Sequence, residues 1–497
     1  MRLRWVGFGA AVLLAVVGWL GGALPAGDTA STPITIARGP YGPVILGGWL
    51  LGAMILAYAW WTLRDRVPSA RWALTTAALW SAPFLVAPPM GSRDLYSYAC
   101  QGYLYVHGIS PYEAGVGSLP CPWLDGVSPI WRDTAAPYGP LFVLISAVVV
   151  ALAGDSLVAV VTGFRLVAVA GAVLVAAGLP VLARRCGVPV RRAWWLALAG
   201  PLIGAHLIAG PHNDMLMIGL VVAGLAAAAA RPGLSGWGPP LTAGVLLGLA
   251  VAVKVTAIVV VPFAILLVVG GRRRAWRGPL TLAGGTVAAM IVVTAVSGLG
   301  FGWIGGMVNT RDLVQFTSPP TAVGMTLTYL AQPFLPGFDA VPATRLIALL
   351  LFVVVLAGVW WRSAGLTWPA SLPAVPPSPR PTLTLTGSPA AALHGAALAL
   401  TATVALAPYF HPWYAVWPLV LLAATTTRTT LITAATIAAS MLVLPDGGGL
   451  ARFAKFPGAP IMTALLIYLG IRWLRRPRAL TNESVTRRAL PAAARGE

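Results

Sequence analysis

Apolar runs of membrane-spanning length follow one another along nearly the whole chain, and no other feature limits the fold so strongly. They lie at about 5–24, 44–63, 70–89, 157–183, 193–210, 214–230, 278–297, 343–361, 389–407, 413–425, 429–444 and 459–475. In hydrocarbon every backbone N–H and C=O must be satisfied within the protein, so unbroken runs of about 20 residues are helices. The chain therefore reads as an all-α polytopic membrane protein with about 13–14 transmembrane helices. Of its 497 residues 58% are hydrophobic and 9% charged, which excludes a set of soluble domains. A net charge of +20 would suggest nucleic acid in a soluble protein. Here the arginines sit in short connections beside apolar runs, the positive-inside pattern, and nucleic acid is not an expected partner.

Arginine counting orients the helices. The run after Arg2 and Arg4 exceeds the ~7–15-residue core of a signal peptide and is read as a span, although Ala23 to Ala26 resemble a cleavage site. Arg64, Arg66 and Arg71 hold the next connection inside, which places the loop 90–156 outside. Within that loop Leu141 to Ala153 is too short to cross a bilayer, and a crossing would turn Arg184, Arg185, Arg191 and Arg192 outward; it is read as a re-entrant or interfacial helix. The same reasoning divides Leu241 to Val269 into two short spans hinged at Lys254, keeping Arg272, Arg273, Arg274 and Arg277 inside. On this topology 24 of the 33 Lys and Arg face the cytoplasm and ten of the 13 acids face outward, so the outer face is expected to carry the chemistry. The chain divides into an amino-terminal catalytic module (1–362), a Pro-rich cytoplasmic linker (363–389), a carboxy-terminal transmembrane module (390–476) and a basic cytoplasmic tail (477–497).

The outer loop concentrates the functional groups. Between Ser92 and Pro140 it holds Asp94, Glu113, Asp125 and Asp133 among Tyr, Trp and Pro, and ionisable groups beside hydrocarbon are costly unless used. Asp94 follows a span ending near Met90, at the level of lipid head groups; a helix cap or a solvated loop acid is the plain alternative. Arg93, Asp94, Tyr98 and Gln101 fall at helical spacing, as on a surface that holds a sugar by stacking and hydrogen bonds. His212, Asn213 and Asp214, in a turn between two spans, are either a helix cap or substrate ligands. Lys254 would cost about 2.5–3.5 kcal/mol in mid-span; it either snorkels or pairs with a lipid phosphate. Arg311 in NTRDLVQF and His411 in PYFHPWY reach the same side. No Walker or strand-bounded Gly-rich loop suggests a nucleotide site, and no clear ligand set supports a divalent metal. Cys100 and Cys121 share the outer loop, where they either bridge or remain two small buried thiols, while Cys186 lies by an inner turn.

Several of these segments together resemble a known family. SRDLYSYACQG, GISPY, WRDTAAPYGPL (Trp131 to Leu141), GPHNDMLM (Gly210 to Met217) and FHPWY (Phe410 to Tyr414) are similar to segments of the actinobacterial polyprenol-phosphomannose-dependent α-1,6-mannosyltransferases of the MptA/MptB type. An acid just after a span, followed by a re-entrant helix behind Tyr138-Gly139-Pro140-Leu141, resembles the wider GT-C glycosyltransferases. The chain departs from the pattern in carrying Arg93 before a single acid at 94, and in its long Pro-rich linker.

The resemblance implies transfer of mannose, with inversion, from a polyprenyl-phosphate-mannose donor to a lipid-linked mannan acceptor, outside the plasma membrane, in lipomannan- or lipoarabinomannan-type synthesis. Asp94 would be the general base. Lys254, Arg311 and His411 would hold the donor phosphate; Arg93, Tyr98, Gln101, Tyr138, His212, Asn213 and Asp214 would contact sugar or acceptor. The alternatives are a GT-C transferase for another polyprenyl-phosphate sugar, a lipid or small-solute transporter or flippase, or a structural assembly partner. A transporter would carry broken helices in paired repeats, and no second copy of the Lys254 hinge is evident.

Overall fold

Long apolar runs become helices because nothing else satisfies their backbones in a bilayer. The computed structural model describes residues 2–25, 31–230, 237–269, 276–308, 313–366, 387–449 and 454–475. In chain order the helices are α1 (Arg2–Gly21), α2 (Pro33–Arg38), α3 (Gly42–Leu63), α4 (Ala70–Val86), α5 (Asp94–Val106), α6 (Pro140–Ala153), α7 (Leu157–Arg185), α8 (Val190–Leu198) and α9 (Asp214–Ala230). They continue with α10 (Gly238–Val253), α11 (Val261–Leu267), α12 (Arg277–Ser297), α13 (Trp303–Val308), α14 (Pro319–Ala331), α15 (Val341–Ser363), α16 (Pro389–Leu406), α17 (Val416–Thr425), α18 (Thr430–Ser440) and α19 (Lys455–Leu474). Among the described residues the only β pairing is a single bridge, Val443 to Gly449. The protein is an all-α polytopic membrane protein.

Six described helices are long and apolar enough to cross a bilayer: α1, α3, α7, α12, α15 and α16. A π-helical segment, Ile203–Ala209, and α9 reach spanning length only together and are bent against each other by 103°, as in a broken span or a re-entrant loop. The other apolar helices, among them α6, α10 and α18, have 10–17 residues, so the helices behind the expected 13–14 include long, short and broken ones. The cause is local: hydropathy counts apolar residues without sensing a break, and the chain breaks at Gly210–Asn213, at Lys254 and at Phe410–His411. The hinge expected near Lys254 is present. That residue is extended (φ −152°, ψ 117°) between α10 and a 3₁₀ turn over Val255–Val260. Residues 367–386 of the Pro-rich linker, the tail, Arg272 to Arg274 and Arg311 lie outside the described residues, while Ser363 ends α15 and Pro389 begins α16.

Small residues bring the helix backbones together, as they do where lipid offers no hydrophobic drive for association. A Cβ on Gly171 of α7 would lie 2.3 Å from the Met215 carbonyl of α9, and one on Gly219 would lie 2.5 Å from the Gly171 carbonyl. Across α3 and α8, Trp60 and Trp195 each donate the indole N–H to the other's carbonyl, at 3.1 and 3.0 Å. Arg165, inside α7, donates to the carbonyls of Leu85, Ala87, Ile208 and Ala209. One guanidinium thus closes the carboxy-terminal ends of both α4 and the π segment, whose carbonyls have no intrahelical partner.

The connections sort to two ends. Asp65 pairs with Arg64 and Arg192, and Arg192 also donates to Thr427 O and Thr429 Oγ1. The loops expected inside therefore meet one another. At the other end, Gly91 N donates to Pro445 O at 2.8 Å, and Thr317 and Ser318 donate to the carbonyls of Phe410 and Ala407. The first long loop folds here as two juxtamembrane helices, α5 on α6, with a Cβ on Gly102 only 2.5 Å from the Ser146 backbone. A disulfide joins Cys100 of α5 to Cys121, and Cys186 is free.

Candidate active site

The site is assembled at that second end from the breaks in the helices. Asp94 is the first residue of α5, where a carboxylate suits the helix dipole. It borders an open cleft, together with Arg93, Trp131, Gln315, Thr317, His411 and Trp413 among others. Its side chain is 19% exposed. Burial is the largest influence on its carboxyl and pushes the pKa up to about 6, against the Lys254 ammonium, which lowers it, and the Asp214 carboxylate, which raises it.

Behind the cleft lies the turn that bends the π segment against α9. His212 is buried, its Nε2 is 3.6 Å from Asp94 Oδ2, and its Nδ1 is hydrogen-bonded to the His206 carbonyl. The ring stacks on Trp413 (centroids 3.9 Å), which stacks in turn on His411 (4.7 Å, 4° between planes). Gly91 passes this turn with φ +68°, and a Cβ there would lie 2.6 Å from His206 Nδ1, so glycine is required on both counts. Asn213 is buried with neither amide atom partnered.

One residue further on, Asp214 Oδ1 accepts from Lys254 Nζ at 2.8 Å and from Trp417 Nε1 at 2.7 Å. The ammonium also lies 4.5 Å from the Tyr414 ring and 5.0 Å from the Trp417 ring. Lys254, expected at a donor phosphate, is partly buried here and has the Asp214 carboxylate as its anion. The break at Lys254 is braced by the re-entrant helix, since Gly139 N donates to Val253 O at 3.2 Å and a Cβ on Gly139 would strike Ala252 O at 2.2 Å.

The remaining expected residues are placed as follows. Arg93 borders the cleft but is itself buried, and its Nη1 donates to Leu24 O at 2.9 Å and Gly126 O at 3.4 Å. Tyr98 is not on an open sugar surface; it is buried among Phe142, Tyr138 and Phe164, with ring centroids 4.8, 5.2 and 5.9 Å away. Its hydroxyl hydrogen-bonds that of Tyr138, and burial holds both phenols well above their ordinary value, so both keep their protons. Gln101 is buried on α5 and does not border the cleft. The α5 helix turns these two inward because α6 and α7 cover that face. Among the described residues no group of three or more His, Cys, Asp or Glu is placed to hold a metal ion.

Two parts of the sequence match known families. Residues 4–270 match the family described as alpha-(1->6)-mannopyranosyltransferase, N-terminal domain, and residues 382–472 match the MptB C-terminal domain. The chain is similar to alpha-(1->6)-mannopyranosyltransferase A of Mycobacterium tuberculosis, 30% identical over 84% of this chain and 79% of that protein. It is 27% identical to alpha-(1->6)-mannopyranosyltransferase B of Corynebacterium glutamicum over 86% of this chain and 72% of that protein.

The chain belongs to the alpha-(1->6)-mannopyranosyltransferase family.

No solved structure matches it. It is accordingly a membrane glycosyltransferase, a mannosyltransferase. The two family segments meet at the cleft, where Asp94 of the first borders it with His411 and Trp413 of the second, and behind it, where His212, Asp214 and Lys254 pack on Trp413, Tyr414 and Trp417. Sequence reasoning singled out His411 in FHPWY and passed over the three aromatics around it. Their spacing after a helix end, as a polar aromatic cluster rather than a continuous apolar face, was the available signal. Trp131, Gln315 and Thr317 were not singled out either; Trp131 stood in a quoted motif, whereas nothing about Gln315 and Thr317 marks them until the fold sets them beside His411.

Proposed function

We propose that the protein transfers mannose from a polyprenyl-phosphate donor to a lipid-linked mannan, forming an α-1,6 linkage at the extracytoplasmic face of the plasma membrane, by a GT-C-type inverting reaction. The observation that carries this reading is Asp94, an acid raised to about 6 at the border of an open cleft. An inverting transfer needs one base on the acceptor side, and a base works best with a pKa near the operating pH. The acceptor hydroxyl loses its proton to Asp94 as its oxygen bonds the sugar's anomeric carbon, and the phosphate leaves with the bonding pair. Phosphate is a good leaving group, so no acid is required for it. His411, which borders the cleft and is stacked on Trp413, offers its imidazole to the sugar and phosphate. Lys254 acts through Asp214, fixing the hinge and the local field.

The test uses the full chain in lipid nanodiscs with a short α-1,6-mannoside acceptor and labelled mannose, supplied either on polyprenyl phosphate or on a nucleotide. Glycan extension from the polyprenyl donor alone is expected. Extension from the nucleotide donor, or movement of the lipid across vesicles without extension, overturns the reading, the second outcome in favour of a transporter.

A further inference from the structure

The mechanism above leaves a buried histidine unused beside its base. His212 Nδ1 faces the His206 carbonyl, which can only accept, so the ring proton lies on Nδ1. Nε2 then carries a lone pair, is buried, and has no hydrogen-bond partner, while Asp94 Oδ2 stands 3.6 Å away. A lone pair facing a carboxylate is a repulsive arrangement that one proton between them turns into a hydrogen bond. The imidazole is kept in place by Trp413 on its face and by the carbonyl at its other edge.

Resting on the reading of Asp94 as base, we infer that His212 is its positioning residue, with Nε2 the seat that accepts the hydrogen bond from Asp94 once Asp94 has taken the acceptor proton. The proton count is closed: the acceptor O–H breaks, the proton passes to Asp94 Oδ2, and it is then shared with Nε2 while the electron pair of the sugar–phosphate bond leaves on the phosphate. The 3.6 Å gap closes to hydrogen-bond reach, about 2.6–3.2 Å, as catalytic hydrogen bonds tighten when substrate is bound. A hydrogen bond to the protonated form strengthens the base. The other charged or titratable groups facing Asp94 are Lys254 and Asp214 from the hinge and α9, Tyr98 and Tyr138 from α5 and the loop before α6, and Tyr414 from the carboxy-terminal segment, with the Ser92 hydroxyl beside it. His212 is itself buried and faces the same Lys254, so a second cation there would be costly.

The experiment is the pH profile of kcat and KM for His212→Phe, which keeps a flat ring against Trp413, and for His212→Gln, which restores an acceptor without a base. For His212→Phe the expectation is a kcat lower by about tenfold or more, KM for donor and acceptor within about twofold, and an acid limb displaced to lower pH; His212→Gln is intermediate. An unchanged kcat and pH profile in either variant overturns the inference, as does a raised KM with kcat retained, which makes His212 a sugar ligand instead. If His212→Phe does not fold, His212→Gln decides alone by the same criteria. Asp94→Asn separates the two levels: if it turns over normally the base assignment itself fails, and if it is inactive while the His212 variants are normal, only this inference fails.

Discussion

At the scale of single residues the protein is governed by where water cannot reach. Asp94 lies above its ordinary carboxylate value of 3.8, at about 6, because burial disfavours its charge. Two consequences have opposite signs. As a base it must be ionised, so transfer should rise with pH and reach half its plateau near 6, measured as kcat/KM between pH 5 and 8. As a buried acid it stabilises the fold when protonated; that contribution is complete below its ordinary value and is lost as pH rises through about 6. The Lys254–Asp214 pair follows different arithmetic. Lys254→Met leaves a buried carboxylate with only the Trp417 N–H, and should lower stability by about 3–5 kcal/mol, whereas Lys254→Met with Asp214→Leu recovers most of it. Thermal unfolding of the two singles and the double in nanodiscs checks this, and additive losses would mean that the pair is not coupled. Arg165→Met leaves four helix-end carbonyls without their donor and should cost about 3 kcal/mol or more by the same assay, with the Phe84–Met90 and Ile203–Asn213 turns loosened together.

At the scale of elements the site is a product of interruptions. The π segment, the 3₁₀ turn after Lys254 and the turn before Pro412 each end a helix early and turn its last or first residues toward the cleft. The disulfide fixes α5 to the loop that follows it, and Cys100 and Cys121 should alkylate only after reduction while Cys186 alkylates without it, read by mass spectrometry. Reduction should loosen Asp94 relative to Trp131 and weaken transfer, since opening a loop of this size costs about 3 kcal/mol. Much at this scale was legible in the sequence. The Lys254 hinge, the short helix before Asp155 and the bounds of α7 and α9 follow from run length and arginine position, which the bilayer enforces. Helix α14 was not legible: Pro319–Ala331 is only moderately apolar, and its Ser318 cap and Thr321 are bound to the 407–410 turn nearly ninety positions away. The turning inward of Tyr98 and Gln101 was hidden for the same reason, because helical spacing gives a shared face without saying what covers it.

At the scale of the whole molecule, the Asp65–Arg192 connections meet at one end of the bundle and the cleft bordered by Asp94 lies at the other. Both family segments are needed to close that cleft, which accounts for a mannosyltransferase spread over nearly the whole chain rather than held in one domain. The central claim is that Asp94 takes the acceptor's proton there. The measurement that tests it most directly is single-turnover transfer of labelled mannose from polyprenyl phosphate to an oligomannoside by the full chain and by Asp94→Asn, in the same nanodiscs at pH 7.5 with thermal unfolding recorded alongside. The account predicts that the variant is as stable as the parent or more so, binds donor, and transfers at least about 10²-fold more slowly. Equal transfer rates in a folded variant would contradict it.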